Sequence, residues 1–237
     1  AAAAAAAAVA AEVAPAVDAM DRLHEDDEAL MVLISAGLGL RMEAGGVARA
    51  QGLGGGPCGC GGDGGVSATW GGAEWTTTSS VFFARTPPRI ALADYFRRIV
   101  KYTYSSRACY SLAVVYLDRM SAASPSHYTL CPHNAHRLVV TAVMLAAKFQ
   151  DDVYYNNGYY ARVAGVSLRE LNALELEMLK TLRFAVHVPE PEWRAKCEGL
   201  VAEVLRAAEA DSAACRSHPA VARDELVRKG LVGMAVG

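Results

Sequence analysis

Between Leu138 and Phe149 the chain runs twelve residues, LVVTAVMLAAKF, that carry one charge, Lys148, and one hydroxyl, Thr141. An amphipathic surface helix shows polar residues on every turn, so a helix apolar all round belongs at the centre of its fold. A cation near the end of such a helix is costly to bury unless it meets a partner. Two carboxylates, Asp151 and Asp152, follow almost at once. What Lys148 meets is therefore the functional question that the sequence poses.

Around that run the periodicity is helical. Pro87 and Pro88 set a start, and Ile90, Tyr95, Ile99 and Tyr102 mark a first helix. Ser105 or Ser106 caps a second, which carries Leu112, Val115, Tyr116 and Met120 and stops at Ser124-Pro125. The apolar helix is third, from about Asn134, and a short fourth spans Gly158 to Val163, ended by Gly165. The fifth opens on a capping box, Ser167-Leu168-Arg169-Glu170, with Leu171, Leu174, Met178 and Leu182 on one stripe. Sustained alternation is absent, and Asn157-Gly158 lacks flanking strands, so no hairpin is expected. The fold class predicted is all-α, four helices packed around a central apolar one, over residues 80–190.

Residues 1–79 differ in character. Twelve of the first sixteen residues are alanine, a low-complexity start. One short helix is expected over about 25–43, with Leu30, Ile34 and Leu38 spaced by four and acids in its first turn. Eleven of the 21 glycines then fall between Gly52 and Gly72. That tract is a linker and not a phosphate loop, because no strand precedes it and no helix with Lys-Ser/Thr follows. In the third region, 191–237, Trp193, Cys197, Leu200, Val204 and Ala208 read as one amphipathic helix folding back on the rest.

Charge and cysteines narrow the function classes. A formal net charge of −2 gives no electrostatic footprint for nucleic acid, so no nucleic-acid partner is expected. The six cysteines, Cys58, Cys60, Cys109, Cys131, Cys197 and Cys215, are too irregular for a disulfide framework. No apolar run reaches the roughly 18 residues of a bilayer span, so no membrane partner is expected. The alanine-rich start lacks a basic region and is interrupted by Glu12, unlike a secretory signal. The location expected is the nucleus or the cytoplasm.

The residues carry a family pattern. HRLVVTAVMLAAKFQDDVYYNNGYYARVAGVSLRELNALELEMLKTLRF, His136 to Phe184, resembles the P-type (also called U-type) cyclins of plants, relatives of the fungal phosphate-starvation cyclins. IALADYFRRIVKY (Ile90 to Tyr102) and YLDRM (Tyr116 to Met120) match the same family in order and spacing. The resemblance runs from about Ser80 to Trp193, and more loosely over Leu30 to Met42.

The resemblance implies a single cyclin box in a non-enzymatic regulatory subunit that docks on a cyclin-dependent serine/threonine kinase, in cell-cycle or phosphate signalling. Lys148 and Glu175 would be the pair that hydrogen-bonds kinase backbone, so the companion of the Lys148 ammonium is expected on another polypeptide. Asp152 aligns with an acid that engages an activation-segment arginine in the fungal relatives. Phe149, Asp151 and Tyr155 complete the expected kinase-binding face. Where mitotic cyclins carry M-R-A-I-L, this chain has Ile90-Ala91-Leu92-Ala93-Asp94, so docking of Arg-x-Leu substrates is not expected. Only 44 residues follow Trp193, too few for a second five-helix box.

Plainer readings stand beside these. Lys148 also suits the last turn of a helix as a dipole partner that reaches to water. Glu175 also suits a solvated helix edge, and nothing in their spacing shows that the two touch. Asp151 and Asp152 also suit a cap or turn. The lean for Tyr154 and Tyr155 is toward core. Cys131, His133 and His136 form a poor metal set, since Pro132 interrupts them and no fourth ligand is evident. No metal or other cofactor is expected. No nucleophile–base pattern appears, so no enzyme is expected. Two other functions remain in view: a cyclin fold of the general transcription factors, which would want two boxes and a basic face, and a scaffold that does not activate a kinase.

Overall fold

From Leu138 to Ala147 every residue is buried, and helices surround that run on all sides. The structure is a computed structural model and describes residues 27–50 and 80–210. The alanine-rich start, the glycine tract with Cys58 and Cys60, and Cys215 lie outside the described residues. Among the described residues there are eight helices and no strand. They are α1 (Asp27–Ala50), α2 (Leu92–Thr103), α3 (Arg107–Ala123) and α4 (Pro125–Tyr128), then α5 (Ala135–Gln150), α6 (Asn157–Ala164), α7 (Leu168–Thr181) and α8 (Glu190–Ala210). No helix among them is long and apolar enough to cross a membrane.

Helix α5 is the central rod, and α2, α3, α6 and α7 all pack against it. This is the four-around-one arrangement that the apolar run predicts. Leu171, Leu174 and Met178 of α7 are fully buried, as their stripe requires. Helices α1 and α8 pack on each other and on α3, outside the five-helix core. Gly37 permits that approach, because a Cβ there would strike the Leu200 side chain of α8. Gly45, further along α1, lies against the Leu130 carbonyl, where a Cβ would again collide. Arg41 fastens the layer by reaching Asp118 at 2.7 Å and Glu203 at 3.1 Å.

Several local expectations are corrected. Helix α2 starts at Leu92 rather than at the prolines, and Ile90 is exposed, its carbonyl accepting from His136 Nε2 at 2.9 Å. The buried stripe of α2 is therefore Leu92, Tyr95, Phe96 and Ile99, with Tyr102 outside it. Ser106 occupies the N-cap of α3, but its hydroxyl meets the Cys109 thiol (3.2 Å) and caps no backbone group. Pro125 ends α3 and also opens a one-turn helix, since a proline at a first helical position forfeits no hydrogen bond. Only half of the capping box forms: Ser167 Oγ accepts the Glu170 N–H at 3.1 Å. The Glu170 carboxylate goes instead to Arg137, at 2.6 Å.

Candidate functional site

The end of the central rod is where charge enters the core. Lys148, in the last turn of α5, places its Nζ 2.6 Å from Glu175 Oε1 on α7. Packing of the Leu171–Leu174–Met178 stripe onto α5 turns Glu175 to the border of that contact, level with the ammonium. The second carboxylate oxygen, Oε2, accepts from Asn157 Nδ2 at 2.8 Å, and Asn157 also lies 2.8 Å from Asn172 Oδ1. Both oxygens of Glu175 are thus engaged, and its side chain is 16 % exposed. The ammonium has three N–H donors and gives one to Glu175, while its side chain stays 24 % exposed.

This corrects one expectation. Lys148 finds a companion in its own chain, 27 residues on, where the expectation placed it on another polypeptide. Sequence spacing cannot show the contact, because it depends on how two helices cross. In the sequence Asn157 stands out only as a hairpin residue without strands, and nothing there signals its bond to Glu175; at the start of its short helix Asn156 takes the cap by accepting the Tyr159 N–H at 3.0 Å.

The neighbouring acids part company. Asp151 Oδ2 accepts the Ser106 N–H at 3.0 Å, so its carboxylate ties the end of α5 to the start of α3. Beneath it lies a neutral polar cluster of Thr103, Ser105, Cys109, Tyr110 and Tyr160. Burial pushes the Cys109 thiol up to about 12, and Tyr160 likewise to about 12, so neither is a nucleophile at neutral pH. Asp152 is exposed and makes no hydrogen bond or ion pair with another described residue.

Apolar groups crowd the same end. Phe149 is exposed, its ring 6.4 Å from that of His187. Val153 is 88 % exposed, and Tyr154 and Tyr155 are exposed as well, so the lean toward core is corrected for both. Tyr155 stacks on Tyr159 at 4.0 Å, which holds the ring at the surface in one orientation. A run of exposed apolar side chains beside a partly buried ion pair is the composition that protein-binding surfaces favour. The strap bearing His187 is fixed from behind. Tyr116 donates to the Val186 carbonyl (2.7 Å), and Arg119 donates to the carbonyls of Ala185 (2.7 Å) and His187 (3.2 Å).

At the far end of α5 the histidines serve structure. His133 Nδ1 meets the Ala84 carbonyl at 3.0 Å, and His136 Nε2 donates to Ile90. Among the described residues no group of three or more His, Cys, Asp or Glu is placed to hold a metal ion. His136 Nδ1 is buried without a hydrogen-bond partner, and burial lowers the ring's pKa below 6.5. The unfolded chain therefore takes up this proton first on acidification. Stability from His136 is complete above pH 6.5 and is lost as pH falls through the folded pKa. Melting temperature is expected to fall between pH 7.5 and 5.5, and less steeply in His136→Gln, which can still donate to Ile90. Equal slopes in the two proteins would show that His136 does not set this dependence.

Comparison with known proteins identifies the family. A sequence model of the cyclin family, described as "Cyclin", matches residues 6–186. The chain is 47 % identical over 118 residues to Cyclin-U3-1 of Arabidopsis thaliana, covering 50 % of this chain and 52 % of that one. It is 48 % identical over 109 residues to Cyclin-U4-1 of the same plant, covering 46 % and 54 %. To Cyclin-P4-1 of Oryza sativa subsp. japonica it is 37 % identical over 131 residues, covering 55 % and 61 %. The chain spans about half the length of the curated relatives it matches.

Proposed function

Because this chain belongs to the cyclin family, we propose that its regulatory role is to bind and activate a cyclin-dependent serine/threonine kinase through the Lys148 end of the central helix. The observation that carries this reading is the Lys148–Glu175 pair, partly exposed and bordered by Phe149, Val153, Tyr154 and Tyr155. Glu175 and Asn157 fix the ammonium in place before any partner arrives, so little side-chain freedom is lost on docking. The two N–H donors not used by Glu175 are directed to backbone carbonyls of the kinase beside its C-helix. Phe149 and the tyrosines supply the apolar contact around them. Asp152, which makes no hydrogen bond or ion pair among the described residues, is the group offered to an arginine of the kinase activation segment.

The chemistry stays with the kinase. Phosphoryl transfer requires a kinase lysine–glutamate ion pair whose glutamate rides on the C-helix, and a partner that holds the helix holds the pair. The mechanism is a population shift. Moving such an equilibrium from 1:99 to 99:1 takes about 5.5 kcal/mol of differential affinity, within reach of a protein interface. Which kinase is bound decides whether the output is cell division or phosphate signalling.

The test mixes the purified chain with a cyclin-dependent kinase lacking its own cyclin, reading co-elution and phosphorylation of a peptide substrate. Co-elution with a rise in peptide phosphorylation is the expected result. Co-elution without activation would make the chain a scaffold, and no association with any member of that kinase class would overturn the reading.

A further inference from the structure

We propose that Thr86 is a phosphoacceptor for a proline-directed serine/threonine kinase. The sequence there is Thr86-Pro87-Pro88-Arg89. Kinases of that class take the acceptor in an extended peptide with proline directly after it, and favour a basic side chain three positions on. Thr86, Pro87 and Arg89 occupy those three places.

The backbone there is non-helical, with bends at Arg85-Thr86 and at Arg89-Ile90 on either side of the prolines. A proline fixes its own φ and disfavours helix in the residue before it, so Pro87 and Pro88 hold Thr86 and Pro87 out of helix. The stretch is non-helical and exposed from Arg85 to Ile90. Both its ends are fastened to the start of α5. Ala84 N–H donates to the His133 carbonyl at 2.8 Å, and the Ile90 carbonyl accepts from His136. Between these anchors the Thr86 hydroxyl has no hydrogen-bond partner, and Arg85 and Arg89 have no ion-pair partner, among the described residues. The hydroxyl is free to react and the arginine is free to be read.

The product suits its surroundings too. The phosphate arrives with the Arg85 and Arg89 guanidiniums on either side of it in sequence, neither in an ion pair among the described residues, on a loop anchored at the N-terminal and electropositive end of α5. In the reaction, Thr86 Oγ1 bonds to the γ-phosphorus of ATP while the bond from that phosphorus to the β–γ bridging oxygen breaks. ADP leaves, and the hydroxyl proton passes to the kinase's catalytic base. Lys148 stands near the other end of α5, about 20 Å from its first residue at 1.5 Å per residue, so the two sites do not overlap.

The chain supplies its own control. Its other Ser/Thr-Pro pair is Ser124-Pro125, with His127 three positions on. Ser124 is half-buried at a helix end, and its hydroxyl lies 2.8 Å from His127 Nδ1. It should be a poor acceptor.

The experiment incubates the full chain with magnesium ATP and an active cyclin-dependent kinase already paired with a mitotic cyclin, then maps phosphate by mass spectrometry. Because that kinase needs no activator, the outcome is independent of whether this chain binds a kinase itself. Phosphate is expected on Thr86 and not on Ser124, and Pro87→Ala should lower its incorporation about tenfold, the scale of a single specificity contact. Absence of phosphate from Thr86, an undiminished rate in Pro87→Ala, or equal labelling of Ser124 would each overturn the assignment.

Discussion

Replacing Lys148 and Glu175 together by alanine is expected to abolish co-purification with the kinase while leaving the circular dichroism spectrum helical. Truncating one partner of a hydrogen-bonded charge pair at an interface costs about 2–5 kcal/mol, a loss of roughly 30-fold or more in affinity. The fold should tolerate the double change. Alanine is the best helix former, and neither residue belongs to the fully buried core. The single variants sharpen the test. Lys148→Ala leaves Glu175 only 16 % exposed and without its cation, whereas Glu175→Ala leaves Lys148 and Asn157 without their acceptor. For stability the double variant should therefore be milder than the worse single one, since it strands no charge. For binding it should be at least as severe as either. If the double variant still bound kinase at wild-type strength, the docking face would have to lie elsewhere.

The same pair shows how far the sequence could be read. The centre of the fold was legible because an uninterrupted apolar run admits only one location, and Leu138 to Ala147 are all buried. The stripe on α7 and the C-terminal helix were legible by periodicity, with Cys197, Leu200 and Val204 buried as their spacing requires. Contacts between elements were not. Lys148 and Glu175 were each singled out, yet their 2.6 Å contact depends on the crossing of α5 and α7, which periodicity does not encode. Side-chain alternatives were equally hidden. Ser106 has the right chemistry for a cap, but its hydroxyl turns to the Cys109 thiol rather than to a backbone N–H. Glu170 completes a capping-box pattern in sequence and pairs with Arg137 in space. Tyr154 and Tyr155 follow an apolar helix and invite a core reading, but α5 ends at Gln150 and they lie past the packed turns.

At the opposite end of α5, Leu138→Ala is expected to destabilise the protein by about 2–5 kcal/mol, the range for emptying a leucine-sized volume in a close-packed interior. Leu138 is fully buried in the helix against which four others pack, so its loss leaves a cavity that no single neighbour can move to fill. For a domain of this size that predicts a fall in melting temperature of roughly 10 °C. Leu138→Met keeps most of the volume and should cost under about 1.5 kcal/mol. Leu176→Ala removes the same atoms from a side chain 48 % exposed and should stay within about 0.5 kcal/mol. This experiment complements the Lys148–Glu175 pair. The charge variant removes binding from a folded chain, whereas Leu138→Ala lowers the folded fraction and leaves the affinity of each folded molecule unchanged. A Leu138→Ala protein that melted within 2–3 °C of wild type, a shift of about 1 kcal/mol, would mean that the helix is not tightly enclosed at this point. A rod free to slide or tilt there would not hold Lys148 in one position for a kinase.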